Sequence, residues 1–300
     1  MTTAYLFPGQ GSQQVGMGRD LYEQNAEARA IFDEADVQLG FSLSSLCFLG
    51  PEADLTDTVN QQPALFTTSM AMFAALRAKG TPLPAFVAGH SMGEVTALAA
   101  AGSLSFADGL RLARRRGELM AQAGESAPGA MAAILALDTD MVRRICAEAS
   151  EKNGRCVQLA NDNCPGQIVI SGDKDALQDA VRMAEASGAR KVVVLPITIA
   201  AHSPLMASAS AEFTEVVAAT LIHPPQIPII GNVSAQPLAD VAEIRAELAA
   251  QLTAPVRWTE SMNYLTAQGV TSVMEVGPGD VLLSLMKRID RTVTRLKVEV

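Results

Sequence analysis

A serine, a histidine and an arginine, far apart in this sequence, are of types that together can carry out acyl chemistry. The serine lies in Gly89-His90-Ser91-Met92-Gly93, which fits the G-x-S-x-G pattern of a nucleophile elbow. Such an elbow is a sharp strand-to-helix turn that pushes the serine Oγ out of the backbone into a cleft. Its glycines are needed because side chains there would clash as strand and helix close on each other. The flanks agree: Phe86-Val87-Ala88 reads as a short buried strand and Glu94–Ala101 as an Ala-rich helix. Five residues can match a pattern by chance, and it is the strand and helix on either side that favour the elbow.

A serine hydroxyl needs a base and oxyanion donors to act as a nucleophile at neutral pH. The chain has three histidines, His90, His202 and His223. His90 adjoins Ser91, so on a tight turn its ring points elsewhere, although a place in the substrate pocket is open to it. His223, in Ile222-His223-Pro224-Pro225, reads as a loop residue with surface or structural duty. His202 ends the apolar run Ile199-Ala200-Ala201 and is the candidate base by elimination; the competing reading is a satisfied core histidine. Arg116 emerges from periodicity. At about 100° per residue, Leu110, Leu112, Ala113, Gly117, Leu119, Met120 and Ala123 share one face, with Arg111, Arg114, Arg115 and Glu118 opposite. Arg116 falls within the apolar face, where a guanidinium must be paired. Its partner is either a core carboxylate or a substrate carboxylate, which the planar fork suits.

These residues need a frame. With 300 residues, 49% of them hydrophobic, the chain can bury a large core. No apolar run approaches the ~20 residues of a membrane span, and the N-terminus lacks the basic and apolar regions of a signal peptide, so a cytoplasmic protein is expected. The net charge of −9 argues against nucleic-acid binding. Cys47, Cys146, Cys156 and Cys164 lack metal-ligand spacing and read as reduced, buried thiols, with no metal site expected. Between a small-residue stretch at Gly124–Gly129 and Pro196, the pattern runs strand Gly129–Leu137, helix Asp140–Glu151, strand Cys156–Ala160, turn Asn161–Gly166, strand Gln167–Ser171, helix Ala176–Ser187, strand Lys191–Leu195. This is the ferredoxin-like βαββαβ order, and residues 126–196 are expected to form an inserted subdomain. Residues 1–125 and 197–300 are expected to form an α/β core with parallel-type strands at Tyr5–Phe7, Ala85–Ala88, Ile227–Ile230 and Ser272–Val276. Helices fall between them, including Ala64–Lys79 and Phe106–Ala123.

A family resemblance follows from eight motifs in order. They are Phe7-Pro8-Gly9-Gln10-Gly11-Ser12-Gln13, Gln61-Gln62-Pro63-Ala64, Gly89-His90-Ser91-Met92-Gly93-Glu94, Arg116-Gly117, Asn163-Cys164-Pro165-Gly166-Gln167, His202-Ser203-Pro204-Leu205-Met206, Pro255-Val256-Arg257-Trp258 and Glu275-Val276-Gly277-Pro278-Gly279. From end to end the chain resembles the malonyl-CoA:acyl-carrier-protein transacylases and the acyltransferase domains of polyketide and fatty acid synthases. The resemblance implies an α/β-hydrolase-like core with a ferredoxin-like insert. It implies Ser91 as the acylated nucleophile, His202 as the base, and Arg116 as the holder of a malonyl carboxylate. The backbone N–H groups of Gln10 and Met92 would form the oxyanion hole, and the Gln251 carbonyl would orient His202, so no triad acid is required. Asp173 and Asp175 then read as turn and cap residues. Gln62, His90, Asn163 and Ala201 would line the acyl pocket; turn capping and helix entry are the competing duties of Asn163 and Gln62.

The implied partners are malonyl-CoA and the phosphopantetheine arm of an acyl carrier protein, with no bound cofactor and a monomeric enzyme. Ala201 leaves room beside the acyl group, so some tolerance for α-branched malonyl groups is expected. Carrier proteins are generally acidic, and Lys287, Arg288, Arg291, Arg295, Lys297, Arg190 and Lys191 are candidate docking cations; a scattered solvated surface is the competing reading. A serine hydrolase that edits acyl groups on carriers would share Ser91 and His202 but have little use for Arg116. A non-catalytic scaffold would need none of the three.

Overall fold

The computed structural model describes residues 1–298. Among the described residues ten strands form two sheets: β1 Thr3–Phe7, β2 Phe86–Gly89, β3 Ala130–Leu135, β4 Val157–Cys164, β5 Gln167–Gly172, β6 Lys191–Val194, β7 Ile229–Ile230, β8 Pro237–Leu238, β9 Ser272–Glu275 and β10 Thr294–Leu296. The larger sheet has the order β10-β9-β1-β2-β7-β8, parallel except for β8. Its central strand, Thr3–Phe7, is apolar on both faces, as a strand covered by helices on each side must be. Side chains of Tyr5 and Phe7 join the core on one face, while Ala4 and Leu6 join that on the other. Ligand sites of such sheets lie at the carboxyl ends of the strands. Here the segments that leave β1, β2 and β7 there carry Gln10, Ser91 and Asn232.

The smaller sheet is antiparallel, in the order β4-β5-β3-β6. Its two helices, Thr139–Asn153 and Lys174–Ala186, cover one face. The period-two alternation of a strand divides the side chains. Ala132, Ile134, Ile168 and Ile170 pack under the helices, while Met131 and Val169 face the other way, with Leu195, Ile197 and Ala201. That second face roofs the serine cleft.

Three expected boundaries are corrected. The turn expected at Asn161–Gly166 is only Pro165-Gly166, because β4 runs on through Cys164 with two irregularities in its register. Tertiary partners occupy the polar residues there. Asp162 N–H donates to the Val256 carbonyl at 2.9 Å, and the Asp162 carboxylate accepts from Thr259 Oγ1 at 2.7 Å and Thr139 Oγ1 at 3.0 Å. The helix expected from Ala64 begins at Thr58, capped by the Asp57 side chain, and continues through Pro63. Proline lacks the N–H that would bond to the Val59 carbonyl, and Arg114 Nη1 donates to that oxygen instead, at 3.3 Å. The strand expected at Ile227–Ile230 shortens to Ile229–Ile230, and Val87 N–H bonds to the Pro228 carbonyl. Among the described residues no helix is long and apolar enough to cross a membrane.

The elbow is closed to any side chain at its glycines. A Cβ on Gly89 would lie 1.9 Å from the Gly93 carbonyl oxygen, and one on Gly93 would lie 2.1 Å from the Phe7 oxygen. The clashes are with backbone, so the strand–helix junction itself must open. Gly89→Ala is therefore expected to cost about 3 kcal/mol, the upper range for overpacking, read as a loss of urea stability. Stability within about 0.5 kcal/mol of wild type, the usual range for surface changes, would contradict this reading of the turn.

Candidate active site

Ser91 and His202 share an unusual backbone state. Both take left-handed φ values, 52° and 59°, which few residues other than glycine adopt. At Ser91 this is the elbow conformation, and Asn232 fastens it: Ser91 N–H donates to Asn232 Oδ1 at 2.7 Å. At His202 the constraint comes from both sides. Its N–H donates to the Leu252 carbonyl at 2.9 Å, and its own carbonyl accepts from Gln158 Nε2 at 2.7 Å. Gln158 belongs to β4, so the antiparallel sheet helps to hold the histidine.

The two side chains meet. Ser91 Oγ lies 2.9 Å from His202 Nε2. His202 Nδ1 faces two carbonyl oxygens, Gln251 at 2.8 Å and Ala254 at 3.1 Å. Carbonyls only accept, so Nδ1 carries the proton and Nε2 presents its lone pair to the serine. Burial, reinforced by the positive charge of Arg116, pushes the His202 pKa down to about 3. The imidazole is thus neutral, and its two carbonyl partners fix its orientation as a triad acid does elsewhere. Asp173 is an N-cap, as expected, accepting from Asp175 N–H.

Arg116 is almost fully buried, at 1% exposure. Nε and Nη2 donate to Gln251 Oε1 at 3.2 and 2.8 Å, and Nη1 donates to Gln62 Oε1 at 2.9 Å and to Met120 Sδ at 3.2 Å. Nη2 also donates to Ser91 Oγ at 3.1 Å. The guanidinium therefore touches the Ser91 hydroxyl, and among the described residues no carboxylate contacts it directly. Burial lowers its pKa to about 10, against the pull of Glu94. Glu94 is the nearest thing to a counter-charge, and it acts through Gln251, whose Nε2 donates to both Glu94 Oε2 and the Ser91 carbonyl. Burial, and then Glu247, raise the Glu94 carboxyl well above the ordinary range. Its Oε1 accepts from Asn232 N–H at 2.8 Å and Nδ2 at 2.9 Å.

A cavity of about 560 Å³ opens onto Ser91 and His202. Gln10 lines it, and so do His90, Asn163 and Ala201, three of the four residues expected at the acyl pocket. His90 Nε2 pairs with Asn163 Oδ1 at 2.8 Å, and its ring stands edge-on to Trp258 at 5.2 Å. Burial lowers its pKa. The Gln62 side chain does not line the cavity. Its oxygen is taken by Arg116, so it packs behind Met120, while the neighbouring Gln61 faces the space. Met92 is buried and contributes its side chain to the core. The Gln10 and Met92 amides make no turn or loop hydrogen bond among the described residues. A Cβ on Gly9 would lie 2.3 Å from the His90 carbonyl, so the loop that carries Gln10 is pressed against the elbow. His223 is exposed. Arg288 reaches across to the β4–β5 turn, donating to Gln167 Oε1 at 2.7 Å and the Pro165 carbonyl at 2.9 Å.

Sequence reasoning missed Glu94 and Asn232. Glu94 carried the same signal as Arg116: it is the one charge in a helix, Gly93–Ala100, that is apolar all round and buried throughout. Asn232 gave none.

Residues 4–299 match the model of the acyl transferase domain family. The chain belongs to that family. Among this acyltransferase's relatives, the malonyl CoA-acyl carrier protein transacylase of Bacillus subtilis is 46% identical over 295 residues, covering 98% of this chain and 92% of that protein. The protein of the same name from Escherichia coli K12 is 41% identical over 291 residues, 97% of this chain and 94% of that one. The malonyl CoA-acyl carrier protein transacylase of Coxiella burnetii superposes with a TM-score of 0.96 at 38% identity, covering 99% of this chain and 93% of that chain. A malonyl-transacylase in complex with a type II PKS acyl-carrier protein superposes with the same score, at 38% identity and 99% and 96% coverage.

The lowered His202 pKa fixes the sign of the pH dependence. An ordinary imidazole base is lost as pH falls through about 6.5, whereas this one stays proton-free down to about 3. Labelling of Ser91 by an uncharged fluorophosphonate is expected to be flat from about pH 8 to pH 5. A half-maximal rate near pH 6.5 would contradict a buried, neutral His202.

Proposed function

We propose that this acyltransferase moves a malonyl group from CoA to the phosphopantetheine thiol of an acyl carrier protein, through a malonyl-Ser91 ester. The observation that carries the reading is the guanidinium of Arg116, buried with no carboxylate in contact among the described residues and hydrogen-bonded to the nucleophile's own oxygen. A cation so placed meets a negative charge on the acyl group that Ser91 accepts. The names of the relatives, and the carrier complex of one structural neighbour, support the same substrates.

In this reading His202 Nε2 takes the Ser91 proton as Oγ attacks the thioester carbonyl. The Gln10 and Met92 amides stabilise the oxyanion, a contribution typically of about 3 kcal/mol per donor. As the tetrahedral intermediate collapses, the C–S bond breaks and His202 returns the proton to the departing CoA thiolate. The ester then exchanges with the carrier's thiol by the reverse steps. Arg116 holds the malonyl carboxylate throughout, and the carboxylate offsets the charge that depresses His202, so the base strengthens once substrate is bound. CoA and phosphopantetheine enter as parts of the substrates, and no cofactor resides in the protein.

We infer further that residues 1–125 with 197–300 form an α/β-hydrolase-like core and residues 126–196 a ferredoxin-like subdomain. The elbow at the end of β2 supports the first, and the βαββαβ order with both helices on one face of the β4-β5-β3-β6 sheet supports the second. The reading includes a cytoplasmic monomer. The small Ala201 beside the cavity supports slow acceptance of α-branched malonyl groups.

Intact-mass measurement tests this. Malonyl-CoA is expected to add a malonyl mass to the wild type and none to Ser91→Ala, and holo carrier protein should discharge it. Methylmalonyl-CoA should give its adduct more slowly, and Arg116→Ala should lose the preference for malonyl over acetyl by about 10- to 100-fold, the worth of a charge-assisted pair. Release of CoA to water with no carrier acylation would identify a hydrolase instead.

A further inference from the structure

All five N–H bonds of Arg116 are already engaged in the free protein, on Gln251 (twice), Gln62, Met120 and Ser91 Oγ. A substrate carboxylate must therefore displace something. Gln251 and Gln62 offer amide oxygens, which are good acceptors, and both lie on the buried side of the guanidinium. The two remaining acceptors, Met120 Sδ and Ser91 Oγ, belong to residues that line the cavity. They sit on the two terminal nitrogens, one each, which is the spacing of a bidentate carboxylate.

The sulfur is the odd member. A thioether is a weak acceptor, yet two donors converge on it. Arg116 Nη1 lies 3.2 Å away and Gln62 Nε2 3.3 Å away. The Gln62 amide cannot be turned round, because its oxygen is fixed by the Arg116 donor. Met120 lies one helical turn beyond Arg116 on the Phe106–Ser126 helix, and its flexible side chain can swing aside without moving the helix.

We propose that the Met120 sulfur is a displaceable placeholder for the substrate's carboxylate. In the free enzyme it occupies Arg116 Nη1 and Gln62 Nε2 just well enough to keep two buried donors from being orphaned. On binding, a carboxylate oxygen takes its place and accepts from both, while the second oxygen accepts from Nη2. Gln62, which the free structure puts behind the cavity wall, then becomes a third donor to the acyl group. Acyl groups without a carboxylate gain nothing by moving the sulfur, so Met120 sharpens discrimination by being a poor competitor. This rests on the reading of Arg116 as the holder of a substrate carboxylate.

The test compares Met120→Leu, which removes the acceptor at similar volume, with Met120→Gln, which offers a stronger one. The readout is the concentration dependence of single-turnover Ser91 acylation by malonyl-CoA and by acetyl-CoA, taken as the ratio of the two apparent Kd values, acetyl over malonyl. An orphaned buried donor costs about 1 kcal/mol or more, so the leucine variant should raise that ratio at least about fivefold, and the glutamine variant should lower it. A packing role alone would move both variants in the same direction, or leave the ratio within about twofold, and would overturn the proposal. Failure of the carboxylate reading itself looks different: wild type would then show no malonyl preference for either variant to change.

Discussion

A guanidinium removed from water must be hydrogen-bonded on every edge, and the Ser91 site is arranged around meeting that requirement for Arg116. Isolated in a protein interior, such a charge costs several kcal/mol. The site offsets this with amide oxygens rather than with a touching carboxylate. Gln251 takes two of the donors and Gln62 one, and Glu94 accepts from the far side of the Gln251 amide. A direct ion pair would satisfy Arg116 permanently. Keeping the acid one residue away leaves the cation's cavity-facing edge on weak partners, and so leaves it able to recruit an anion.

Gln251 shows how closely the parts are joined. Its backbone carbonyl orients His202, its side-chain oxygen holds Arg116, and its amide nitrogen holds the Ser91 carbonyl and Glu94. His202, Arg116 and Ser91 therefore share one residue as partner. The two strained backbones have comparable support. Left-handed Ser91 is fastened by Asn232, from the end of β7, and left-handed His202 by Gln158, from the other sheet. The strain is held by long-range hydrogen bonds, as expected where a conformation serves the chemistry. The antiparallel sheet thus contributes both the roof of the cavity and part of the machinery that aims the histidine.

What the sequence disclosed follows from what is local. The elbow was legible because a G-x-S-x-G turn needs its glycines within five residues, and Arg116 because helical periodicity places it on an apolar face. The βαββαβ order was legible from alternation and turn chemistry. The Asn161–Cys164 stretch was misread because its polar residues look like a turn, whereas they pair with β5 and their polar groups are taken up by Val256, Thr259, Thr139 and His90. Gln62 was expected at the cavity, and its neighbour Gln61 is there instead, a difference of one residue on a helix that starts at Thr58 rather than Ala64. Asn232 lies 141 residues from the serine whose amide it receives, and nothing in its neighbourhood announces that duty.

The most direct measurement is a crystal structure of the malonyl-Ser91 ester, trapped before carrier protein is added. The prediction is a bidentate carboxylate on Arg116 Nη1 and Nη2, with Gln251 still holding the inner edge and the Met120 sulfur swung away. A malonyl group whose carboxylate points to solvent, with Arg116 unchanged on Gln62, Gln251 and Met120, would contradict a substrate-holding role for the buried cation.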